Sequence, residues 1–462
     1  MILLPHIWLL AIMINYFYTT YMYAGSAPRI RLFILDACIF LIYAVLCICL
    51  HLMPCRSAKS RTSKEMPSFR LKVMLGGRKI LRLCFWGICA QLLFYVLWTV
   101  LDIQILPEFA DSDTVIIMIL IDLIVCCLHF YLLILNGSIR ILAACRSLGI
   151  WKRIVFICFL WIPVIHLFPL KYLSRRAKIE YDAETCRFEN RKERDGSLIC
   201  ATRYPIIMLH GIGFRDFKYF NYWGRIPKEL VRNGAVVYYG HQEAWGTIEN
   251  NAEIIREKTE EILKENHCDK VNIIAHSKGG LDARYLISGL HMEGKIASLT
   301  TMSTPHRGSE LLNLLNKLPD NIYHLVASLF DKSFGKAGDR HPDCYHSSKQ
   351  LSPSFCREFN EKYPDAPGVY YQSYASVVKH TFGDPLLWIP NLIMFFAGAS
   401  KNDGLVSEES AKWGNFKGTF VSNGRRGISH GDMIDLKRED YKGFDVIEAY
   451  VKIVAELKEM GY

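Results

Sequence analysis

Two patterns of hydrophobic and polar positions divide the chain at about residue 173. Five long apolar runs precede that point: Ile2–Tyr23, Leu32–Met53, Leu83–Leu106, Val115–Leu135 and Ile154–Leu170. As helices, the first four are long enough to cross a hydrocarbon core of about 30 Å. The fifth is shorter and contains Pro163 and Pro169. The pattern predicts an all-α transmembrane bundle of about five helices in residues 1–173.

The second pattern follows a densely charged segment, residues 174–203, which we expect to be a solvated linker or a short helix and turn. Beyond it, short apolar runs occur at Tyr204–Leu209, Ala235–Tyr239, Val271–Ala275 and Ile296–Met302, and helical spacing at Asn250–Lys264 and Gly279–Ser288. Short apolar strands separated by helices indicate a mostly parallel sheet covered on both faces. We therefore predict an α/β domain over residues 204–462.

Composition and charge support a membrane protein. Of the 462 residues, 51% are hydrophobic and 22% are charged, which excludes a disordered chain. Residues 1–173 carry 16 Lys and Arg against 7 Asp and Glu, whereas the rest carry 39 against 38. The net charge of +10 therefore belongs mainly to the apolar third. Basic residues beside apolar runs are typical of membrane proteins, and we expect no nucleic-acid partner.

The charges of the loops predict an orientation in the cell membrane. Nine basic residues lie between the second and third runs, in the segment 54–82, which we therefore place in the cytoplasm. The loop between the third and fourth runs has acidic residues only. A fifth crossing then puts the C-terminal domain on the extracellular face. Four basic residues just after the fifth run oppose this orientation: Lys171, Arg175, Arg176 and Lys178.

A serine at 277 has the surroundings of a catalytic nucleophile. The segment Ala275-His276-Ser277-Lys278-Gly279-Gly280 joins a predicted strand to a predicted helix. A nucleophile elbow needs this strand–turn–helix context and small residues two positions on either side of the serine. Gly279 meets the second requirement, and Ala275 replaces the usual first glycine. The alternative is a chance serine in a glycine-rich turn.

Two downstream residues complete a candidate triad in the order serine, acid, histidine that this fold uses. Asp403 lies in an Asn-Asp-Gly turn after the apolar run Ile393–Ala397, which we expect to be a strand. His430 lies in Ser-His-Gly-Asp, before the last helix. Each in isolation fits an ordinary turn acid or loop histidine. Their order after an elbow favours Asp403 as the orienting acid and His430 as the base.

Acyl transfer also needs donors for the developing oxyanion. One is the backbone N–H after the nucleophile, which belongs to Lys278. The second comes from a loop after an early strand, where His210-Gly211-Ile212-Gly213 offers the N–H of Ile212. A purely structural glycine turn is the alternative there.

The motifs of the C-terminal domain resemble those of the bacterial true lipases, the Pseudomonas-type triacylglycerol lipases. The similar stretches are Y-P-I-I-M-L-H-G-I-G-F, N-Y-W-G-R-I-P-K-E-L, A-H-S-K-G-G, S-T-P-H-R-G-S, Y-Y-Q-S-Y-A-S, N-D-G-L-V and S-H-G-D. The resemblance implies an α/β-hydrolase fold, an ester-hydrolysing serine enzyme, acyl-lipid substrates and the same triad. It also implies a mobile helical lid within Leu311–Gly338. It does not extend to residues 1–173, because secreted members lack a membrane region.

The same resemblance implies one structural calcium ion and no organic cofactor. The resembled lipases bind Ca²⁺ between two acids and two backbone carbonyls near the catalytic histidine. The matching positions are Asp384, Asp432, Leu436 and Asp440. The alternative is that Asp384 and Asp432 only cap a turn and a helix.

The sequence thus predicts a membrane-anchored serine hydrolase that cleaves carboxylic esters of acyl lipids at a bilayer. A phospholipase or transacylase with the same triad is one alternative. A non-catalytic, lipid-binding membrane protein is another. Two disulfides, Cys186–Cys200 and Cys344–Cys356, are conceivable in an oxidising compartment, but spacing alone does not decide cysteine pairing.

Overall fold

A computed structural model describes residues 68–105, 112–160, 167–215, 221–315 and 319–462, together with six single positions between 38 and 52. The chain forms two compact units, Met1–Glu189 and Asn190–Tyr462. The predicted span Ile2–Tyr23, and Leu32–Met53 apart from those six positions, lie outside the described residues.

Long helices make up the described part of the first unit. They are α1 (Phe69–Ile105), α2 (Ser112–Ala144), α3 (Ile150–Leu160) and α4 (Leu167–Glu193), the last of which ends just inside the second unit. Glycines bring α1 and α2 close together, because a Cβ atom on Gly77 would lie 2.6 Å from the carbonyl oxygen of Gly137. Among the described residues, the segments Phe69–Leu97 and Cys126–Ala144 are long and apolar enough to cross a membrane.

The charged segment after residue 173 is largely helical. Its charges form pairs along α4, such as Lys178 with Asp182 at 2.7 Å, which suit a helix because residues four apart share a face. Glu180 is buried, pairs with Arg70 and accepts the backbone N–H of Ser147 at 2.8 Å. Burial raises its pKa, but these donors outweigh burial and lower the pKa to about 2. Glu180 therefore links α4 to α1 and to the segment after α2.

The described residues of the second unit form one parallel sheet of six strands. They are β1 (Ile206–Leu209), β2 (Val237–Tyr239), β3 (Val271–His276), β4 (Ile296–Met302), β5 (Tyr370–Ser376) and β6 (Asn415–Phe420). The order is β2-β1-β3-β4-β5-β6, and every neighbouring pair is parallel. The strand order reverses between β1 and β3, so the loops after these two strands diverge and leave a crevice at their carboxyl ends. The parallel sheet and its helices match the predicted α/β-hydrolase fold.

Alternate residues of the strands supply two hydrophobic cores, one on each face of the sheet. In β1, Ile206 and Met208 join the core that includes α5 (Ile226–Arg232) and α14 (Val446–Glu459). Ile207 and Leu209 join the opposite core with α6 (Ile248–Glu265) and α7 (Gly279–Ser288). All four side chains are fully buried, which stabilises the fold by about 1.5–3 kcal/mol for each.

One predicted strand is wrong. The apolar run Ile393–Ala397 lies mostly in helix α12 (Trp388–Phe396). A short run of apolar residues does not distinguish a buried strand from a helix. Pro390 in the first turn suits a helix, because the N–H that proline lacks would have no partner inside the helix there. Asp403 therefore follows a helical excursion between β5 and β6.

Shorter helices complete the second unit: α8 (Glu310–Leu315), α9 (Asp320–Ala337), α10 (Cys344–Lys349), α11 (Pro353–Lys362) and α13 (Glu408–Ala411), with 3-10 turns at Glu293–Lys295 and Thr381–Gly383. Neither of the two conceivable disulfides, Cys186–Cys200 and Cys344–Cys356, is formed among the described residues. The buried Cys356 thiol instead donates to the Pro305 carbonyl at 3.5 Å.

Candidate active site

Ser277 lies on a sharp turn between β3 and α7. Its φ of 55° is in the left-handed region, which costs energy for a residue other than glycine. Crowding on the helix side requires glycine, because a Cβ on Gly279 would lie 2.5 Å from the His210 carbonyl oxygen. Ala275, on the strand side, is fully buried. This is the strained strand–turn–helix geometry of a nucleophile elbow.

The loop after β1 packs directly against Ser277. A Cβ on Gly211 would lie 2.8 Å from the Ser277 Cβ and 3.3 Å from its Oγ, so only glycine allows this approach. The Gly211 N–H donates to the Tyr222 hydroxyl at 3.1 Å, and that hydroxyl lies 2.6 Å from Nδ1 of His276. Ile212, the predicted oxyanion donor, is thus the next residue along a loop held beside the serine.

Asp403 and His430 are joined by two hydrogen bonds. Nδ1 of His430 lies 2.8 Å from Oδ2 of Asp403, and the His430 backbone N–H donates to the Asp403 carbonyl at 3.0 Å. Oδ1 of Asp403 accepts the N–H groups of Leu405 and Val406 at 3.0 and 2.9 Å. Burial raises the pKa of Asp403, but His430 and these donors outweigh it and lower the pKa below its usual value of 3.8. The buried carboxylate therefore stays charged and orients the imidazole.

The His430 ring lies next to the elbow. Its centroid is 4.3 Å from that of His276, the residue before Ser277. Burial, and then the charge of His430, keep the pKa of His276 well below its usual value of 6.5. The fold thus places the Asp403–His430 pair beside His276, the residue that precedes Ser277, and it keeps the His276 imidazole neutral.

Lys278 is the other predicted oxyanion residue. Its side chain is buried, and the sequence analysis assigned a role only to its backbone N–H. Its ammonium lies 2.6 Å from Oδ1 of Asp282, and Oδ2 of Asp282 accepts the amide of Asn251 at 3.1 Å. Both charged residues are about 1% exposed. The spacing of four residues on a predicted helix was the available signal for this pair. The side chain is therefore engaged by Asp282, and the backbone N–H of Lys278 stays the predicted oxyanion donor.

The residues predicted to bind calcium do not fit that ion. Asp384 and Asp432 lie together beside the His430 loop, but both are paired with Arg426 and Lys437. The Asp440 carboxylate, which is not the predicted ligand because the prediction used its backbone carbonyl, pairs with Arg225 at 3.1 Å. The Leu436 N–H donates to the Gly431 carbonyl at 3.0 Å. In the described part of the chain, no cluster of three or more His, Cys, Asp or Glu side chains is arranged to hold a metal ion.

Comparisons with known proteins identify several triacylglycerol lipases that are similar to this chain. The chain is 31% identical over 270 residues to triacylglycerol lipase 2 of Saccharomyces cerevisiae. The aligned region covers 54% of this chain and 78% of the yeast protein. It is 26% identical over 296 residues to the triacylglycerol lipase of Pseudomonas fragi, and the aligned region covers 56% of this chain and 98% of that enzyme. The Burkholderia plantarii triacylglycerol lipase is 29% identical over 180 residues, and the aligned region covers 36% of this chain and 49% of that enzyme.

Structural comparison aligns 55% of this chain with 92% of the Bacillus licheniformis lipase BlEst2, at a TM-score of 0.42 and 19% identity. No protein-family model matches the chain. The yeast relative shares more than 30% of the aligned residues over more than three quarters of its length. The chain therefore belongs to the triacylglycerol lipase family and is a carboxylic ester hydrolase.

Proposed function

We propose that this protein is a membrane-anchored serine hydrolase that cleaves the carboxylic esters of acyl lipids with the triad Ser277, Asp403 and His430. The observation that supports the proposal is the position of the Asp403–His430 pair, whose imidazole lies against His276, the residue that precedes the strained Ser277 elbow. A turn serine with only a structural role would need neither the left-handed backbone nor a buried acid–histidine pair beside it.

In this reaction each residue has a defined part. His430 removes the proton from the Ser277 hydroxyl as its oxygen attacks the ester carbonyl, and Asp403 stabilises the imidazolium that forms. The N–H groups of Ile212 and Lys278 donate to the oxyanion. His430 then returns the proton to the leaving alcohol. Water repeats the sequence on the acyl-enzyme and releases the fatty acid.

An acyl-lipid substrate is supported by the relatives' names and by the surface around α9. That helix exposes large apolar side chains, including Leu325 at 64% and Leu329 at 57%. Its Phe330 ring packs 5.3 Å from Trp245, and Trp245 lies 3.5 Å from a Cβ position on Gly213 of the oxyanion loop. An apolar helix beside the site suits long acyl chains, so we assign α8 and α9 to the proposed lid.

The membrane anchor is supported by the N-terminal unit. Two described segments are apolar enough to cross a bilayer, and the basic segment 54–82, which ends inside the first of them, favours a multi-pass protein of the cell membrane. In this proposal the bundle keeps the catalytic domain at a lipid surface on the extracellular side.

The test is labelling by a fluorophosphonate and analysis of the products from defined glycerolipids, with full-length wild type, Ser277→Ala and Ser288→Ala. Ser288 lies at the far end of α7 and is the matched control. We expect wild type and Ser288→Ala to be labelled and to release fatty acid, and Ser277→Ala to lose several orders of magnitude in rate. Labelling that persists in Ser277→Ala refutes the triad. Release from phospholipids alone, or acyl transfer to an alcohol, would instead identify a phospholipase or a transacylase.

A further inference from the structure

Two buried acids hold the loop that carries His430. Oδ2 of Asp384 accepts the hydroxyl of Ser429 at 2.5 Å, and Oδ2 of Asp432 accepts the backbone N–H of Ser429 at 3.2 Å. Ser429 directly precedes His430, so these bonds fix the start of the histidine's backbone. Both carboxylates are almost completely buried, and their charges therefore require nearby positive charge.

The chain supplies that charge from its own side chains. The Arg426 guanidinium donates to both oxygens of Asp432 at 2.9 and 2.7 Å and lies 3.4 Å from Asp384. Lys437 pairs with Asp384, and its ammonium lies 3.5 Å from Asp432. Arg426 also pairs with Glu439 at 2.9 Å. Two cations and three carboxylates thus form a compact cluster with its charges nearly balanced.

A calcium ion is excluded from this cluster by its bonds and its charge. Ca²⁺ takes six to eight oxygen ligands. The remaining oxygen, Oδ1 of Asp384, accepts the Leu386 N–H at 3.0 Å, so every oxygen of Asp384 and Asp432 already has a donor. A divalent ion between the acids would also face the ammonium of Lys437 and the guanidinium of Arg426 at short range.

We propose that Lys437, supported by Arg426, replaces a calcium ion as the positive charge that organises the His430 loop, so the enzyme works without metal. The path runs from Lys437 through Asp384 and Ser429 to His430. Lys437 touches neither substrate nor reacting atoms and is a positioning residue. The proposal rests on the proposed role of His430 as the catalytic base.

Loss of Lys437 leaves Arg426 to balance two buried carboxylates. Their mutual repulsion then loosens the bonds to Ser429 and displaces the imidazole. A small displacement of a catalytic group costs rate, so kcat should fall by about tenfold or more. KM should change little, because the acyl-binding surface is untouched. Arginine at this position restores the positive charge, so Lys437→Arg should keep most of the activity lost in Lys437→Met.

The experiment uses full-length protein in detergent: wild type, Lys437→Met, Lys437→Arg and Lys442→Met. Lys442 is an exposed lysine of the same loop and is the matched control. We measure kcat and KM on a soluble short-chain ester with a calcium-selective chelator and with added calcium, and calcium content by mass spectrometry. Wild type and Lys442→Met should be equally active in both conditions and hold no stoichiometric calcium.

Three results overturn the proposal: wild-type activity that disappears with chelator and returns with calcium, about one calcium per chain, or an unchanged kcat in Lys437→Met. If Lys437→Met does not fold, the chelator and metal-content measurements on wild type decide. Fluorophosphonate labelling of wild type separates the two hypotheses. Labelled Ser277 with calcium-dependent activity refutes the replacement alone, whereas unlabelled Ser277 refutes the proposed triad and with it the basis for this role of Lys437.

Discussion

The His430 ring contacts two buried groups with different ionisation behaviour. The Asp403 carboxylate accepts a hydrogen bond from Nδ1 of His430. Its pKa lies below the usual value, so it remains charged in neutral and weakly acidic solution. His276 lies beside the same ring and has a pKa far below the usual value, because burial and the charge of His430 disfavour its protonated form. The environment thus gives neighbouring titratable groups separate states, as acid–base catalysis requires.

These shifts predict the shape of the pH–rate profile. A histidine base works only when neutral, so kcat should fall in a single step over the range from neutral to acidic pH. Neither Asp403 nor His276 should add a second step, because both are already in their final state in this range. His276→Gln should leave the midpoint unchanged even if the maximal rate falls. Two resolved steps, or a midpoint that moves in His276→Gln, would contradict this assignment.

At the scale of elements, β3 and α7 support the nucleophile from both sides. The strand is buried along its whole length, and the first turn of the helix contains Gly279, which permits close contact with the end of β1 and the loop after it. The buried Lys278–Asp282 pair spans the first turn of α7. Removing one partner of such a pair leaves an uncompensated buried charge, whereas removing both charges avoids that cost.

We therefore expect Lys278→Met to lower the free energy of unfolding by about 3–5 kcal/mol. The double variant Lys278→Met/Asp282→Asn should recover most of this loss, since asparagine keeps an acceptor for Asn251 without the charge. Chemical denaturation of the three proteins gives the comparison. A double variant as unstable as the single one would show that the ion pair is not what matters. The folded fraction should keep ester hydrolysis, because the oxyanion donor is the backbone N–H.

At the scale of the whole molecule, the two units differ in composition and in chemistry. The second unit has a nearly even charge balance and contains the hydrolase sheet and the candidate active site. The first is basic and apolar, and its described helices expose many large hydrophobic side chains, among them Phe85, Trp86, Leu92, Leu128 and Trp151. Exposed apolar residues along long helices suit a lipid environment.

The proposed topology is tested in intact cells. Protease added outside should cut the C-terminal domain, because the loop charges place that domain on the extracellular face. Epitope tags in the segment 54–82 should stay protected until the cells are permeabilised, since its nine basic residues favour the cytoplasm. The reverse pattern, with a protected domain and a digested loop, would invert the proposed orientation. If the protease cuts both the C-terminal domain and the tagged segment 54–82 in intact cells, the proposed multi-pass arrangement is contradicted.

The sequence by itself determined the local features of this protein. A short apolar run predicted Ile296–Met302 as a strand, and the elbow motif placed Ser277 between a strand and a helix, because both depend on neighbouring residues only. It did not determine the form of Ile393–Ala397, since periodicity is ambiguous in short apolar runs.

Only the tertiary structure decided what lies around the acids near His430. Arg426 and Lys437 are 42 and 53 positions from Asp384 along the chain, so no local pattern signals that they meet it. Spacing carried over from a family identifies the acids but not the charges that fold onto them. From the sequence, two nearby carboxylates are equally compatible with a metal ion and with two basic side chains. Packing decides between them, because a buried charge is balanced by the cation that the fold brings within contact distance.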